Sequence, residues 1–314
     1  MSAKYILKRV ALSAFTLLVI LLILFILLEF MPGSPFNDEK LNEEQLATLY
    51  QKYGLDKPIA VRFLIYVKNM LTGDFGVSYV MHKNMPITQL LKTRLPISIR
   101  IGAQAMLVGI IFGLIFGISA ALHQNSAIDS GTTLLSLIGA SVPSYVFALL
   151  LSYIFAFKLK ILPLFYSTHD EFASSILPTI ALGMSPIASI ARFSRTEMIE
   201  VLGSDYITLA EAKGIRRFPV IVKHALRNAL IPILTVVAPL MVSLMTGSTV
   251  VETIFSIPGI GSMFVEAIQS NDYNVVIALA FIMSAMYIAV MLIVDILYGV
   301  IDPRIRVQGG SKNG

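Results

Sequence analysis

The chain has 314 residues, of which 56% are hydrophobic and only 14% charged, and its mean hydropathy is +0.79. That balance excludes an ordinary soluble domain and points to a bilayer-embedded protein. Without cysteine there is neither a disulfide nor a thiolate metal site, and a net charge of +5 is modest enough to belong to loops, so no nucleic-acid partner is implied.

Roughly 20 apolar residues rising 1.5 Å each cross a hydrocarbon core. Six stretches satisfy this: 10–30, 98–122, 131–157, 173–191, 231–251 and 274–300. In lipid the backbone must satisfy its own polar groups, so each is predicted to be a helix and the fold class is an all-α integral membrane protein. Stretch 10–30 follows Lys4, Lys8 and Arg9 in the manner of a signal peptide. Its apolar core is too long, however, and Glu29-Phe30-Met31-Pro32 stands where a small-x-small cleavage site would be, so it reads as an uncleaved anchor.

Segment 31–97 carries mixed charge and is predicted to face outward. Within it, residues 42–52 place Leu46, Leu49 and Tyr50 at helical spacing, and residues 59–71 do the same with Phe63, Tyr66, Val67 and Met70. A small helical subdomain is expected there, followed by Gly73-Asp74-Phe75-Gly76-Val77-Ser78-Tyr79, whose glycines fit a tight structural turn.

The second span carries Ala105, Gly109, Gly113, Gly117 and Ala121, all four apart, a stripe that lets another helix approach closely. The fourth is interrupted by Pro178 and Pro186. Between the fourth and fifth lies a polar, helix-forming stretch, 206–232, much longer than the usual connection. Ser204 and Asp205 are placed to cap a first helix. Gly214 suits the left-handed residue that would end it, and Lys213 meets the negative end of its dipole. Pro219 fits the first turn of a second helix, and Pro232 the start of the next span. Such a loop is either a partner-docking surface or an interfacial linker held to anionic headgroups by Arg216, Arg217, Lys223 and Arg227.

In the fifth span Ser243 and Gly247, with Glu252 at its outer end, are the candidates for a translocation path; the first two also suit helix packing. Glu252 would meet a peptide amino group or, in the reading preferred, sit in outer water beside the turn at 255–261. Asp295, near the inner end of the sixth span, is expected to pair with a base of the inner loops. No carboxylate falls at mid-bilayer, which argues against a proton-coupled carrier.

Lys4, Lys8 and Arg9, the seven Lys/Arg from Arg192 to Arg227, and Arg304, Arg306 and Lys312 fall on one side of a six-span chain, which the positive-inside rule makes cytoplasmic, with both termini. His82, His123, His169 and His224 show no metal-ligand spacing, and no H-E-x-x-H, G-x-S-x-G or phosphate-binding loop is present. Any ATP hydrolysis that drives this chain is therefore expected in a separate subunit.

Glu211-Ala212-Lys213-Gly214, with the basic run after it and Ala229-Leu230-Ile231-Pro232, resembles the E-A-A loop of ABC importer permeases. The glycine follows Glu211 by three positions, a departure from the general consensus that the A-E-A-K-G form of one branch shares. Four further elements occur in the family's order: Tyr53-Gly54-Leu55-Asp56-Lys57-Pro58, the G-D-F-G-x-S turn, the string from Glu252 to Gly261, and Asp302-Pro303-Arg304-Ile305-Arg306. With the opening L-K-R-V they resemble the oligopeptide/dipeptide/nickel branch, and within it the B-type permeases of oligopeptide importers. The resemblance implies a non-catalytic subunit of the bacterial cell membrane with a type I permease fold. It implies as partners a second permease, two cytoplasmic ATPases that hold the ATP and magnesium, an extracytoplasmic binding protein and a peptide, in contact with membrane lipids. It also implies that Leu209, Ala210, Glu211, Ala212, Lys213, Gly214, Arg216 and Arg217 form the ATPase-coupling surface. The chain divides accordingly into residues 1–94, an anchor plus outer helical segment, a permease core at 95–303, and a tail at 304–314. Dipeptide or nickel import, or an ATP-independent carrier or channel, are the alternatives.

Overall fold

A computed structural model describes residues 3–30 and 43–301. The expected tail 304–314, the string 302–306 and residues 31–42 lie outside the described residues, as do the side chains of Leu46, Leu49 and Asp295. The described residues form helices and one isolated antiparallel bridge, Val77 to Pro86. Helix α1 (Ala3–Glu29) leads to α2 (Glu43–Tyr53) and α3 (Ile59–Leu71), the two short helices expected from the spacing. Met70, with Phe63 and Tyr66 beside it, buries against Leu28 of α1 and Val275 to Leu279 further on.

Helix α4 (Ile87–Leu122) and helix α7 (Glu171–Leu202) form the centre of the molecule. The small-residue stripe makes this contact. A β-carbon on Gly109 would lie 2.5 Å from Pro186 Cβ, one on Gly113 would lie 2.7 Å from Ile190 Cβ, and one on Gly117 would collide with Ser194 Oγ. The partner number rises with the α4 number, so the two helices run parallel. The chain must therefore recross the bilayer between them, and it does so through α5 (Ala127–Ser141) and α6 (Ser144–Leu151), which continues in π-helical turns to Lys158. The single third span predicted from hydropathy is thus two helices meeting at 102°, because Val142 is extended and Pro143 cannot extend the hydrogen-bonded ladder. The fourth span needs the opposite correction. Pro178 and Pro186 lie inside an unbroken helix that runs on past residue 191 to Leu202, with the Pro186 ring filling the space that Gly109 leaves open.

Helices α8 (Asp205–Ala212) and α9 (Arg217–Pro219) follow, and π-helical turns at Val220–Leu226 join α9 to α10 (Arg227–Met245). A 55° bend falls at Pro232, where the span was expected to begin. The fifth span ends at Met245, short of its predicted limit at 251; a turn then leads to α11 (Thr249–Ile254), α12 (Ile260–Gln269) and α13 (Tyr273–Ile301). Among the described residues four helices are long and apolar enough to cross, or six if each bent pair is one span. The end of α10 lies beside the beginning of α4, since a β-carbon on Gly102 would stand 2.5 Å from Leu244 O. One side of the molecule therefore gathers α2, α3, α11 and α12, and the opposite side gathers the start of α1, α8 and the end of α13.

Candidate functional site

The expected first helix of the inner loop is α8. Ser204 has the extended backbone of a cap residue, but its hydroxyl donates to Val201 O at 2.6 Å and so caps nothing. Asp205, in the first turn, is left to complement the dipole. The stop forms as predicted: Gly214 has φ +76°, its N–H donates to Glu211 O at 2.9 Å, and Ile215 N donates to Ala210 O at 3.3 Å. This is the six-to-one closure of a left-handed helix end. Arg216 turns the chain again, and Pro219 occupies the first turn of α9, where its missing N–H leaves no bond unmade.

One face of this loop is fused to the bundle. Ile207, Ala210, Val220 and Ala225 bury together with Ala121 of α4 and Met198 of α7, and Asn228 Nδ2 donates to Tyr206 OH at 3.0 Å. The other face is open. Of the eight residues predicted as a coupling surface, Ala210 packs inward and Leu209, Glu211, Ala212, Lys213, Gly214, Arg216 and Arg217 are exposed. Phe218 stands 75% exposed and Leu209 56% exposed beside this basic cluster. Apolar side chains so displayed on a rigid, positively charged ridge have the composition of an interface.

Just behind the loop lies an ion pair that the sequence reading missed. Asp129, buried at the start of α5, accepts from Arg195 Nη2 of α7 at 2.8 Å and from Asn125 N at 2.9 Å. Only the Ser126 cap and the acid three residues later hinted at this helix start, and nothing in the sequence named Arg195 as the partner.

On the far side, two of the three path candidates, Gly247 and Glu252, lie against each other. Glu252 does not sit in outer water; it is 3% exposed. It accepts from Ser98 Oγ at 2.8 Å and from Ser262 N at 2.7 Å, and so neutralises the amino end of α12. Burial pushes this carboxyl up from its ordinary range, against the pull of the Ser262 amide and the Ser98 hydroxyl. Gly247 is not a helix-packing residue: it lies in the turn after α10 at φ +89°, and a β-carbon there would meet Glu252 Oε1 at 2.6 Å. Ser243 is exposed on α10.

A second buried carboxylate fixes the glycine turn expected at residues 73–79. Asp272 accepts from Ser78 Oγ at 2.5 Å and from the amides of Tyr79, Val80 and Met81 at 3.0 to 3.1 Å, and Asn274 Nδ2 donates to Val77 O at 2.8 Å. The turn read from its glycines is thus docked on the start of α13. Nearby, Arg100 of α4 bonds both Glu171 of α7 and the Tyr166 hydroxyl. Among the described residues no group of three or more His, Cys, Asp or Glu is placed to hold a metal.

The site thus sits on a bundle of four membrane-length helices, six if each bent pair is one span, with an exposed helical loop on one side. A family model described as "Binding-protein-dependent transport system inner membrane component" matches residues 113–307, and its N-terminal counterpart matches residues 2–102. The chain is 43% identical to the dipeptide transport system permease protein DppB of Lactococcus lactis over 303 residues, 96% of this chain and 99% of that one. It is 41% identical to DppB of Bacillus subtilis over 98% of this chain and 99% of that one. It is 40% identical to the oligopeptide transport system permease protein OppB of Salmonella typhimurium over 96% and 99%. Among solved structures, the MetNI methionine ABC transporter in an inward-facing conformation aligns with a TM-score of 0.57 at 13% identity, covering 68% of this chain and 97% of that one. The protein belongs to the binding-protein-dependent transport system inner membrane component family, and its fold is that of an ABC importer permease.

Proposed function

We propose that this chain is the permease subunit of an ATP-driven peptide importer, and that the ridge from Leu209 to Phe218 is where it receives force from a cytoplasmic ATPase. The relatives named as dipeptide and oligopeptide permeases support a peptide as the substrate. The observation that carries the coupling role is the two-faced loop: its inner face is buried with α4 and α7, while its outer face displays Leu209, Phe218 and the three cations Lys213, Arg216 and Arg217. A push on that ridge passes into both central helices without an intervening hinge. This favours a two-state rocking of packed helices, in which the ATPase pair binds the two states differently.

In this reading the side bearing α8 faces the cytoplasm, as its Lys/Arg excess supports. A second, similar permease completes the path, an extracytoplasmic binding protein delivers the peptide to the side bearing α2, α3 and α12, and the two ATPase subunits hold the ATP and magnesium. This chain contributes no catalytic group.

The test is reconstitution of the whole assembly in vesicles, with uptake of di-, tri- and pentapeptides compared with nickel, in the presence and absence of ATP. ATP-dependent peptide uptake is the expected result. Uptake that ignores ATP, or that favours nickel, overturns the reading.

A further inference from the structure

Helix α7 has 67% of its most apolar window buried, yet its inner half leaves one narrow strip in the open. Ser185, Arg192, Thr196 and Glu200 are exposed and Ser189 is half-buried, while Pro186, Ile187, Ala188, Ile190, Ala191 and Ser194 between them are buried. At 100° per residue these five positions fall within an arc of about 80°. All five are polar. The neighbours at the same depth behave differently. The pairing of Gly113 with Ile190 and Gly117 with Ser194 sets Ile111 and Ile115 of α4 level with this strip, and both are exposed. On α5, Leu134 and Leu137 lie between Gly139, which packs on Ala188, and Asp129, which bonds Arg195; both leucines are exposed too. One depth of the bundle therefore meets two solvents: lipid beyond α4 and α5, and something polar beyond α7.

Arg192 sharpens the point. Arg195, one turn on, is paired with Asp129, whereas Arg192 makes no ion pair among the described residues and is exposed. A bare guanidinium level with exposed isoleucines is costly in hydrocarbon and is stabilised by water or an anion. Helix α10, packed beside α7, repeats the pattern: its exposed positions include Thr235, Pro239 and Ser243.

We infer that the strip Ser185, Ser189, Arg192, Thr196 and Glu200, with Thr235 and Ser243 of α10, is this subunit's wall of the aqueous path, and that Arg192 is the cation in it that meets the carboxylate of a passing peptide. The inference rests on the permease reading and names the side chains that reading leaves unassigned. It keeps Ser243 on the path and removes Gly247 and Glu252.

The native chain has no cysteine, so single cysteines can be read without background. In the assembly reconstituted with its partner permease and ATPases, Ser185→Cys, Ser189→Cys and Thr235→Cys are compared with the lipid-facing controls Ile115→Cys and Leu134→Cys, using a charged, water-soluble thiol reagent. The strip should react about tenfold faster than the controls, a barrier difference near 1.4 kcal/mol, and transported tripeptide with ATP should slow it. Reaction at control rates in the assembly, which is what burial against the second permease would give, overturns the assignment, as does fast reaction that peptide and ATP leave unchanged. Arg192→Gln should lower the ratio of uptake for a free-carboxylate peptide over its amide, and Arg192→Lys should restore it; an unchanged ratio removes Arg192 from the role. The wild-type assembly is assayed alongside. If it imports peptide while the strip fails, only the wall is wrong; if it imports none, the permease reading itself falls.

Discussion

Ser98 Oγ on α4 donates to Glu252 Oε1 at 2.8 Å and accepts from Ile260 N at 2.9 Å, so one hydroxyl ties a central helix to both α11 and α12. Gly259 cannot bear a side chain here, because a β-carbon on it would run into the Glu252 carboxyl. Glu252→Ala strands the Ser98 hydroxyl and the Ser262 amide in a dry site, and should cost about 2–3 kcal/mol. Glu252→Gln keeps one acceptor and should cost less. Thermal unfolding of the purified assembly checks this, and equal melting temperatures for the wild type and the alanine variant would refute it.

Asp272 makes a related prediction with a local readout. Its two oxygens accept one hydroxyl and three amides from residues 78–81. Asn at 272 replaces one oxygen with an NH2 group that points its own hydrogens at amide donors. Hydrogen exchange of the amides at 79–81 should accelerate by a factor consistent with losing about 1–3 kcal/mol of local stability. Exchange in α8 should not change, and acceleration there as well would mean global loosening instead.

The contact between α4 and α7 separates two glycines of the same composition class. Gly117→Ala drives a methyl into Ser194 Oγ and Ala191 O, and overpacking of this kind costs about 1–3 kcal/mol. Gly131 in α5 has nothing within 4 Å of a modest side chain, so Gly131→Ala should instead stabilise by about 0.5–1 kcal/mol. Melting temperatures that shift in the same direction for both would contradict the packing described.

How far the sequence disclosed this molecule depended on the range of the signal. Hydropathy located every span, and the four-residue glycine spacing correctly announced a close helix contact, because both are properties of contiguous residues. The break at Val142-Pro143 was hidden, since apolar residues on both sides blur one bent pair into one long run. Pro178 and Pro186 were misleading in the other direction: both lie inside one helix, and the space for the Pro186 ring is left by Gly109, about 77 positions earlier. Glu252 was misplaced, and Asp129 passed unnoticed, for a like reason. A carboxylate reads as exposed until its donors are known, and Ser98 and Arg195 lie 154 and 66 residues away. The helix stop at Gly214 was legible because its chemistry is confined to six consecutive residues, Ala210 to Ile215.

That same stop gives a prediction that separates conformation from contact. Gly214 has φ +76° and open space around it, so a new side chain meets no neighbour and only the backbone resists. An ordinary residue pays about 1–2 kcal/mol in the left-handed region, a β-branched one more, and Asn little. The order of damage should therefore be Gly214→Val worst, Gly214→Ala intermediate and Gly214→Asn near wild type. Because Ile207, Ala210 and Val220 still anchor the loop to the bundle, all three variants should insert and assemble. Peptide-stimulated ATP hydrolysis should fall in that order while basal hydrolysis by the ATPase subunits persists. If instead activity tracked side-chain size, with Asn as harmful as Val, then Gly214 would be lying flat against a partner, and its open surroundings in the isolated chain would be the footprint of that contact.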